Sequence, residues 1–134
     1  DFVAFRWAAE EGLTSLGTLA GYLDDSRASD VSADGTTIVG ESGGQAFIWD
    51  EPYGMRRLQD VLIDDYGMQL AGWTRLGRAE GISDDGLTLV GMGFHDGRAE
   101  AWVAYLPEPA TGMSVLIAAG ILTGRRGRRY STVS

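Results

Sequence analysis

The chain has 134 residues, no cysteine and a net charge of −8 at pH 7. That length holds one modest domain with a usable core but not two large ones, and without cysteine there is no disulfide framework. Residues 1–109 carry all 19 acids against seven arginines, a net charge of −12, whereas Arg125, Arg126, Arg128 and Arg129 cluster near the end. A body so acidic repels nucleic acid and anionic lipid, so no nucleic-acid partner is expected.

Asp1 opens directly into a strand-like segment, with neither an initiator Met nor a signal peptide before it, and the expectation is a piece of a longer precursor. In AFRW, residues 4–7, the aromatics are two apart, so Phe5 and Trp7 share one face of a strand. LTSLGTL (13–19), SRASDVS and TTIVG read as three more strands. Asp34-Gly35 supplies the positive φ values of a two-residue hairpin turn, which sets Ala33 opposite Thr36 and Val31 opposite Ile38.

The pattern then restarts. AFIW at 46–49 repeats AFRW with an offset of forty-two, and MRRLQDV at 55–61 echoes LTSLGTL at the same offset. In DVLIDDYGMQLAGWT, Val61, Leu62, Tyr66 and Leu70 are spaced for a helical turn or two. ISDDGLTLVG at 82–91 repeats VSADGTTIVG at 31–40, now offset by fifty-one, and its turn at Asp85-Gly86 sets Ile82 opposite Leu89. AWVA at 101–104 is a third, degraded AFRW. Phe5, Trp7, Phe47, Trp49 and Trp102 are expected in the core rather than on a sugar-stacking platform.

Four short strands per unit of roughly 40 residues is the spacing of a propeller blade or a stacked sheet, and two units cannot close a propeller. The expected fold is mainly β. It comprises antiparallel propeller-blade-like repeat sheets in an incomplete, open array, with one short C-terminal hydrophobic helix. The expected segments are a first repeat at 1–44, a second repeat with the first strand of a third at 45–106, a distinct ending at 107–129 and a tail at 130–134.

AFRW, GL-x-x-LGTL and the S-A-D-G-x-x-I-V-G hairpin resemble the HAF repeats of bacterial extracellular proteins, although Val3 and Gln45 stand where the histidine of that name belongs. The resemblance covers residues 1–105. It implies a secreted, surface-associated β-repeat protein and no established chemistry.

The ending has a different character. Apolar or small residues run from Ala110 to Gly124, which as a helix span about 22 Å against a hydrocarbon core of about 30 Å. Snorkelling arginines make up part of that gap, and arginines directly after an apolar run favour the cytoplasmic side. Pro107 and Pro109 hold residues 106 and 108 extended. Pro-Glu-Pro, a short hydrophobic helix and an arginine cluster, in that order, resemble the PEP-CTERM sorting signal.

That resemblance implies recognition of Pro107, Glu108 and Pro109 by an exosortase, a membrane peptidase-transpeptidase. It makes Ala110 to Gly124 a transient membrane anchor, with Arg125, Arg126, Arg128 and Arg129 as the membrane stop. The implied localisation is a membrane-anchored precursor that becomes cell-surface or extracellular, with exopolysaccharide as a further partner. The plainer reading of the apolar run is a helix covering the sheet, its C-terminal dipole complemented by the arginines.

Catalytic patterns are lacking. His95 is the only histidine, so neither a histidine pair nor a histidine-based metal trio can form. Asp24-Asp25, Asp64-Asp65 and Asp84-Asp85 are sequence neighbours that point to opposite strand faces and cannot act as acid–base pairs. No phosphate-binding glycine loop and no nucleophile motif is present. The expectation is a non-enzymatic surface or matrix protein without catalytic, cofactor or metal residues. The alternative is a surface-presented module that binds carbohydrate, calcium or ice.

Overall fold

The computed structural model describes residues 2–21, 25–108, 120–125 and 129–133, the last two ranges by backbone alone. The strands are β1 (Ala4–Ala8), β2 (Gly12–Gly17), β3 (Ser26–Val31), β4 (Thr37–Ser42), β5 (Gln45–Asp50), β6 (Gly54–Arg57), β7 (Trp73–Ile82), β8 (Thr88–His95), β9 (Arg98–Tyr105), β10 (Gly120–Arg125) and β11 (Arg129–Val133); helix α1 spans Leu58–Asp64. They form three antiparallel sheets, ordered β1-β2, then β3-β4-β5-β6, then β11-β10-β9-β8-β7. Among the described residues no sheet closes into a barrel or a propeller.

Sheets and sequence repeats are out of phase. The AFRW strand is β1, its copy AFIW lies in β5 and AWVA in β9, yet each VSADG-type hairpin opens a new sheet. The first sequence repeat therefore gives β1 and β2 to the first sheet and β3 and β4 to the second. Strand β5 pairs with β4, and β9 with β8, whereas among the described residues β1 has β2 as its only ladder partner.

The hairpin registers follow the sequence: Val31 faces Ile38 and Ile82 faces Leu89. The turn itself is not the two-residue type expected. Gly35 N–H donates to Ser32 C=O at 2.9 Å and Ser32 N–H to Thr37 C=O at 2.9 Å, so Ala33 to Thr36 form a four-residue loop and are not ladder pairs. Only Gly35 takes a positive φ, +76°; Asp34 does not. The physical reason is the preceding serine. Thr37 N–H donates to Ser32 Oγ at 3.1 Å, so a side chain closes the loop where a ladder bond would otherwise form. The second hairpin is built alike, with Gly86 at φ +76° and Thr88 N–H on Ser83 Oγ at 2.9 Å.

Helix α1 lies in the segment marked by Val61 and Leu62. Leu58, Val61 and Leu62 recur at i, i+3 and i+4 and are buried. Gly67, at φ +64°, ends it by letting its own N–H reach Ile63 C=O and that of Met68 reach Leu62 C=O.

The C-terminal hydrophobic helix is not seen where it can be checked. Residues 120–124 lie in strand β10, with Gly120 opposite Tyr105 and Gly124 opposite Ala101; residues 110–119 of the expected helix lie outside the described residues. The run length alone does not separate helix from strand. Ile121 and Thr123 are β-branched, and β10 satisfies the otherwise open hydrogen-bonding edge of β9. Among the described residues, no helix is long and apolar enough to cross a membrane.

Candidate interaction faces

The second sheet has one face toward the first sheet and one toward the third, and strand alternation assigns residues to them. In the second sheet Ile38, Phe47 and Trp49 face back and pack with Ala4, Leu16 and Leu19 of the first. Val39, Ala46 and Ile48 face forward. They pack with Leu76, Ala79 and Ile82 of β7, Leu89 of β8, Trp102 and Ala104 of β9, and α1. Trp102 thus repeats the role of Phe47, and Leu89 that of Ile38.

The same alternation sets exposed apolar residues on the outer faces of the first and third sheets. Phe5 and Trp7, the counterparts of Phe47 and Trp49, face away from the second sheet. They are 58% and 68% exposed, against 0% and 8% for Phe47 and Trp49. Leu13, the cross-strand partner of Trp7, is also exposed. This corrects the expectation that all five aromatics are core: Phe47, Trp49 and Trp102 are buried, while Phe5 and Trp7 are not. At the other end Val90, Phe94, Ala101 and Tyr105 are exposed and Val103 is half-buried. Val90 and Val103 hold the places of the buried Val39 and Ile48.

Polar groups of the first hairpin tie the sheets together. Ser26 Oγ accepts Ala4 N–H at 2.9 Å and donates to Gly17 C=O at 2.6 Å. Its ladder partner Ser42 accepts Leu19 N–H at 3.0 Å and donates to Asp25 C=O at 2.9 Å. Between the second and third sheets, Asp30 Oδ2 accepts Ile82 N–H at 2.9 Å and Ala33 N–H donates to Asp84 C=O at 3.0 Å. Neither Asp30 nor the serines stood out in the sequence. Their signal was position alone: Ser26 opens β3, Asp30 stands one residue before its end and Ser42 ends β4.

The glycine ending each VSADGTTIVG-type segment also escaped notice, though it recurs in both copies. A Cβ on Gly40 would stand 1.9 Å from the Arg27 carbonyl oxygen and 2.8 Å from the Phe47 ring. On Gly91 it would stand 2.1 Å from the Arg78 oxygen and 2.5 Å from the Trp102 ring. Each glycine is the ladder partner of the aromatic that lies on it. Only a missing side chain lets the ring sit flat against the sheet.

The loop aspartates are structural in their contacts. Asp34 Oδ1 accepts from Thr36 N–H, Ser32 Oγ and Thr36 Oγ1, and the Thr36 N–H above all holds its carboxyl below the ordinary value. Asp85 is likewise lowered, first by the Ser83 hydroxyl and then by Leu87 N–H. Among the described residues no three His, Asp or Glu groups gather closely enough to hold a metal ion. His95 Nδ1 lies 3.1 Å from Oε2 of the buried Glu100, and its ring centroid 4.9 Å from that of Trp73. An open cleft of 620 Å³ runs between Arg6, Asp34, Thr36, Trp49 and Glu51, with the Arg6 guanidinium carbon 5.1 Å from the Trp49 ring centroid.

The residues of the ending are only partly brought together. Leu106 packs on the larger core and its N–H donates to Leu87 C=O at 2.7 Å; directly beyond it Pro107 is half-buried and Glu108 exposed. Pro109, Arg126 and Arg128 lie outside the described residues. Arg125 ends β10 and Arg129 opens β11, and the two are ladder partners. No protein-family model matches the sequence, and comparison with curated proteins and with solved structures finds no match.

Proposed function

We propose that the chain is a non-enzymatic exported surface or extracellular-matrix protein, built of stacked propeller-blade-like β repeats and delivered through a C-terminal sorting signal. The reading is carried by the order Pro107-Glu108-Pro109, apolar run, arginine cluster in the sequence. It is supported by the exposure of Glu108 two residues after Leu106, which packs on the core. A recognising peptidase reaches Glu108 without opening that core. The strands β10 and β11 then leave the edge of β9 when the precursor inserts, which exchanges one strand pairing for burial of residues 110–124 in lipid.

In this reading the −12 body stays outside and the arginines inside. Exosortase is the membrane partner, and exopolysaccharide the matrix contact. The test is expression in a host with an exosortase, with intact mass measured in cell-envelope and medium fractions. The wild-type protein is expected to lose residues 110–124, whereas Glu108→Ala keeps them. Replacing all four arginines with serine weakens membrane retention. A mature wild-type protein that still carries residues 110–124 overturns the sorting assignment.

A carbohydrate-binding role has one observation in its favour, the exposed pair Phe5 and Trp7 on a sheet face. Their counterparts Phe47 and Trp49 are buried by a neighbouring sheet, however, so the position is one at which this fold packs protein on protein.

A further inference from the structure

We infer that Asp96-Gly97 is a site of spontaneous covalent modification, where the main chain rearranges through a cyclic imide into an isoaspartyl linkage. Water is the only co-reactant.

The chain has no asparagine and three Asp-Gly pairs, at 34–35, 85–86 and 96–97. Glycine carries no Cβ to shield its own nitrogen, so an aspartate that precedes it is the one most open to attack by that nitrogen. The fold separates the three pairs. The Asp34 carboxylate accepts from Thr36 N–H, Ser32 Oγ and Thr36 Oγ1, while Gly35 N–H is taken by Ser32 C=O at 2.9 Å. Asp85 is held likewise by Ser83 Oγ and Leu87 N–H, with Gly86 N–H on Ser83 C=O at 2.9 Å. At both pairs electrophile and nucleophile are each engaged. The same hydrogen bonds favour the ionised carboxylate, which resists attack.

Asp96-Gly97 is built differently. It is a two-residue turn between the ladder partners His95 and Arg98, with Asp96 at φ +50° and Gly97 at φ +76°. Among the described residues, Asp96 is the one non-glycine with a positive φ. Its N–H donates to Gly72 C=O at 2.8 Å, which fixes the backbone, but its side chain is 61% exposed. That carboxylate accepts no hydrogen bond from the described residues, and the ionisable group facing it is His95 Nε2 at 3.7 Å. Gly97 N–H donates to none of the described residues.

Both reacting groups are thus unengaged at this pair alone. The Gly97 nitrogen attacks Cγ of the protonated Asp96 carboxyl. The N–Cγ bond forms, and the amide proton and carboxyl hydroxyl leave as water. A second water adds to the Asp96 main-chain carbonyl and breaks its bond to nitrogen. The main chain then runs through Cβ and Cγ, one atom longer, with composition unchanged. It no longer matches a two-residue turn, so the end of the β8-β9 hairpin opens.

The test is warm storage of the full chain at mildly acid pH, then digestion and labelling of each Asp-Gly peptide with an isoaspartyl methyltransferase and its methyl donor. Fragmentation mass spectrometry places the label. Isoaspartate is expected to accumulate at residue 96 severalfold faster than at 34 or 85. In urea the three rates are expected to converge, because the difference belongs to the fold. Asp96→Asn is expected to lose its amide through the same imide, which reads as a more acidic isoelectric point. Ser32→Ala is expected to raise the rate at Asp34 and leave that at Asp96 unchanged. Folded protein in which residue 96 stays unlabelled, or reacts no faster than 34 and 85, overturns the inference. So does a preference for residue 96 that persists unchanged in urea, or an Asp96→Asn variant whose amide survives storage.

Discussion

The carboxylate of Asp30 accepts Val31 N–H through Oδ1 and Ile82 N–H through Oδ2, both at 2.9 Å. Val31 and Ile82 hold the same place in the two copies of the hairpin, so one side chain ties a strand to its own repeat equivalent in the next sheet. Removing it strands a part-buried backbone donor. Asp30→Ala is expected to lower unfolding free energy by about 1–3 kcal/mol, whereas the exposed Asp64→Ala stays within about 0.5 kcal/mol of wild type. Urea melts of both variants decide it, and equal midpoints would remove Asp30 from the list of inter-sheet ties.

At Gly40 and Gly91 a Cβ would meet both a backbone oxygen and the ring of the ladder partner. Gly91→Ala and Gly40→Ala are each expected to destabilise by about 1–3 kcal/mol or more, because the ring and the neighbouring strand must both move. Gly77 is the control. A Cβ there meets nothing nearer than 3.5 Å and its φ is not in the left-handed range, so Gly77→Ala is expected to be neutral or slightly stabilising. The contrast reads directly in melting temperature.

The loops place Gly35 and Gly86 at φ +76°. A β-branched side chain resists that conformation, and Gly35→Val or Gly86→Val is expected to cost about 1–3 kcal/mol. Asparagine enters the left-handed region more readily, so Gly35→Asn is expected to lose less. If valine and asparagine cost the same, steric strain at this φ is not the reason glycine stands there.

Hydrogen bonds within the loops hold the Asp34 and Asp85 carboxyls below the ordinary aspartate value of 3.8. The sign follows from linkage. Their contribution is fully present above 3.8, the value in the unfolded chain, and is lost as pH falls through the lower folded value. Urea midpoints measured from pH 6 down to about pH 2 are therefore expected to fall at the acid end, near and below the ordinary aspartate range. The double variant Asp34→Asn, Asp85→Asn is expected to show a shallower fall. An identical pH profile would mean these two groups do not contribute to it.

Much of this was legible because strand alternation and repeat spacing are local properties. The offset of forty-two equated Phe5 with Phe47 and Trp7 with Trp49, and the Asp-Gly positions set Val31 opposite Ile38 and Ile82 opposite Leu89. Turn type was not legible, since the Ser32 and Ser83 hydroxyls replace a ladder bond that an Asp-Gly pair alone suggests. Of the ending, only the motif was readable. Whether residues 120–124 run as helix or strand depends on a partner edge a hundred residues' worth of fold must first build, and β9 supplies it.

By itself, the sequence determined which residues share a face, because alternation along a strand needs no neighbour. Only the tertiary structure decided which of those faces are covered. AFRW and AFIW are nearly the same strand, yet Trp49 lies under a preceding sheet and Trp7 lies open to solvent. Burial is a relation between two surfaces, and a strand encodes only one of them.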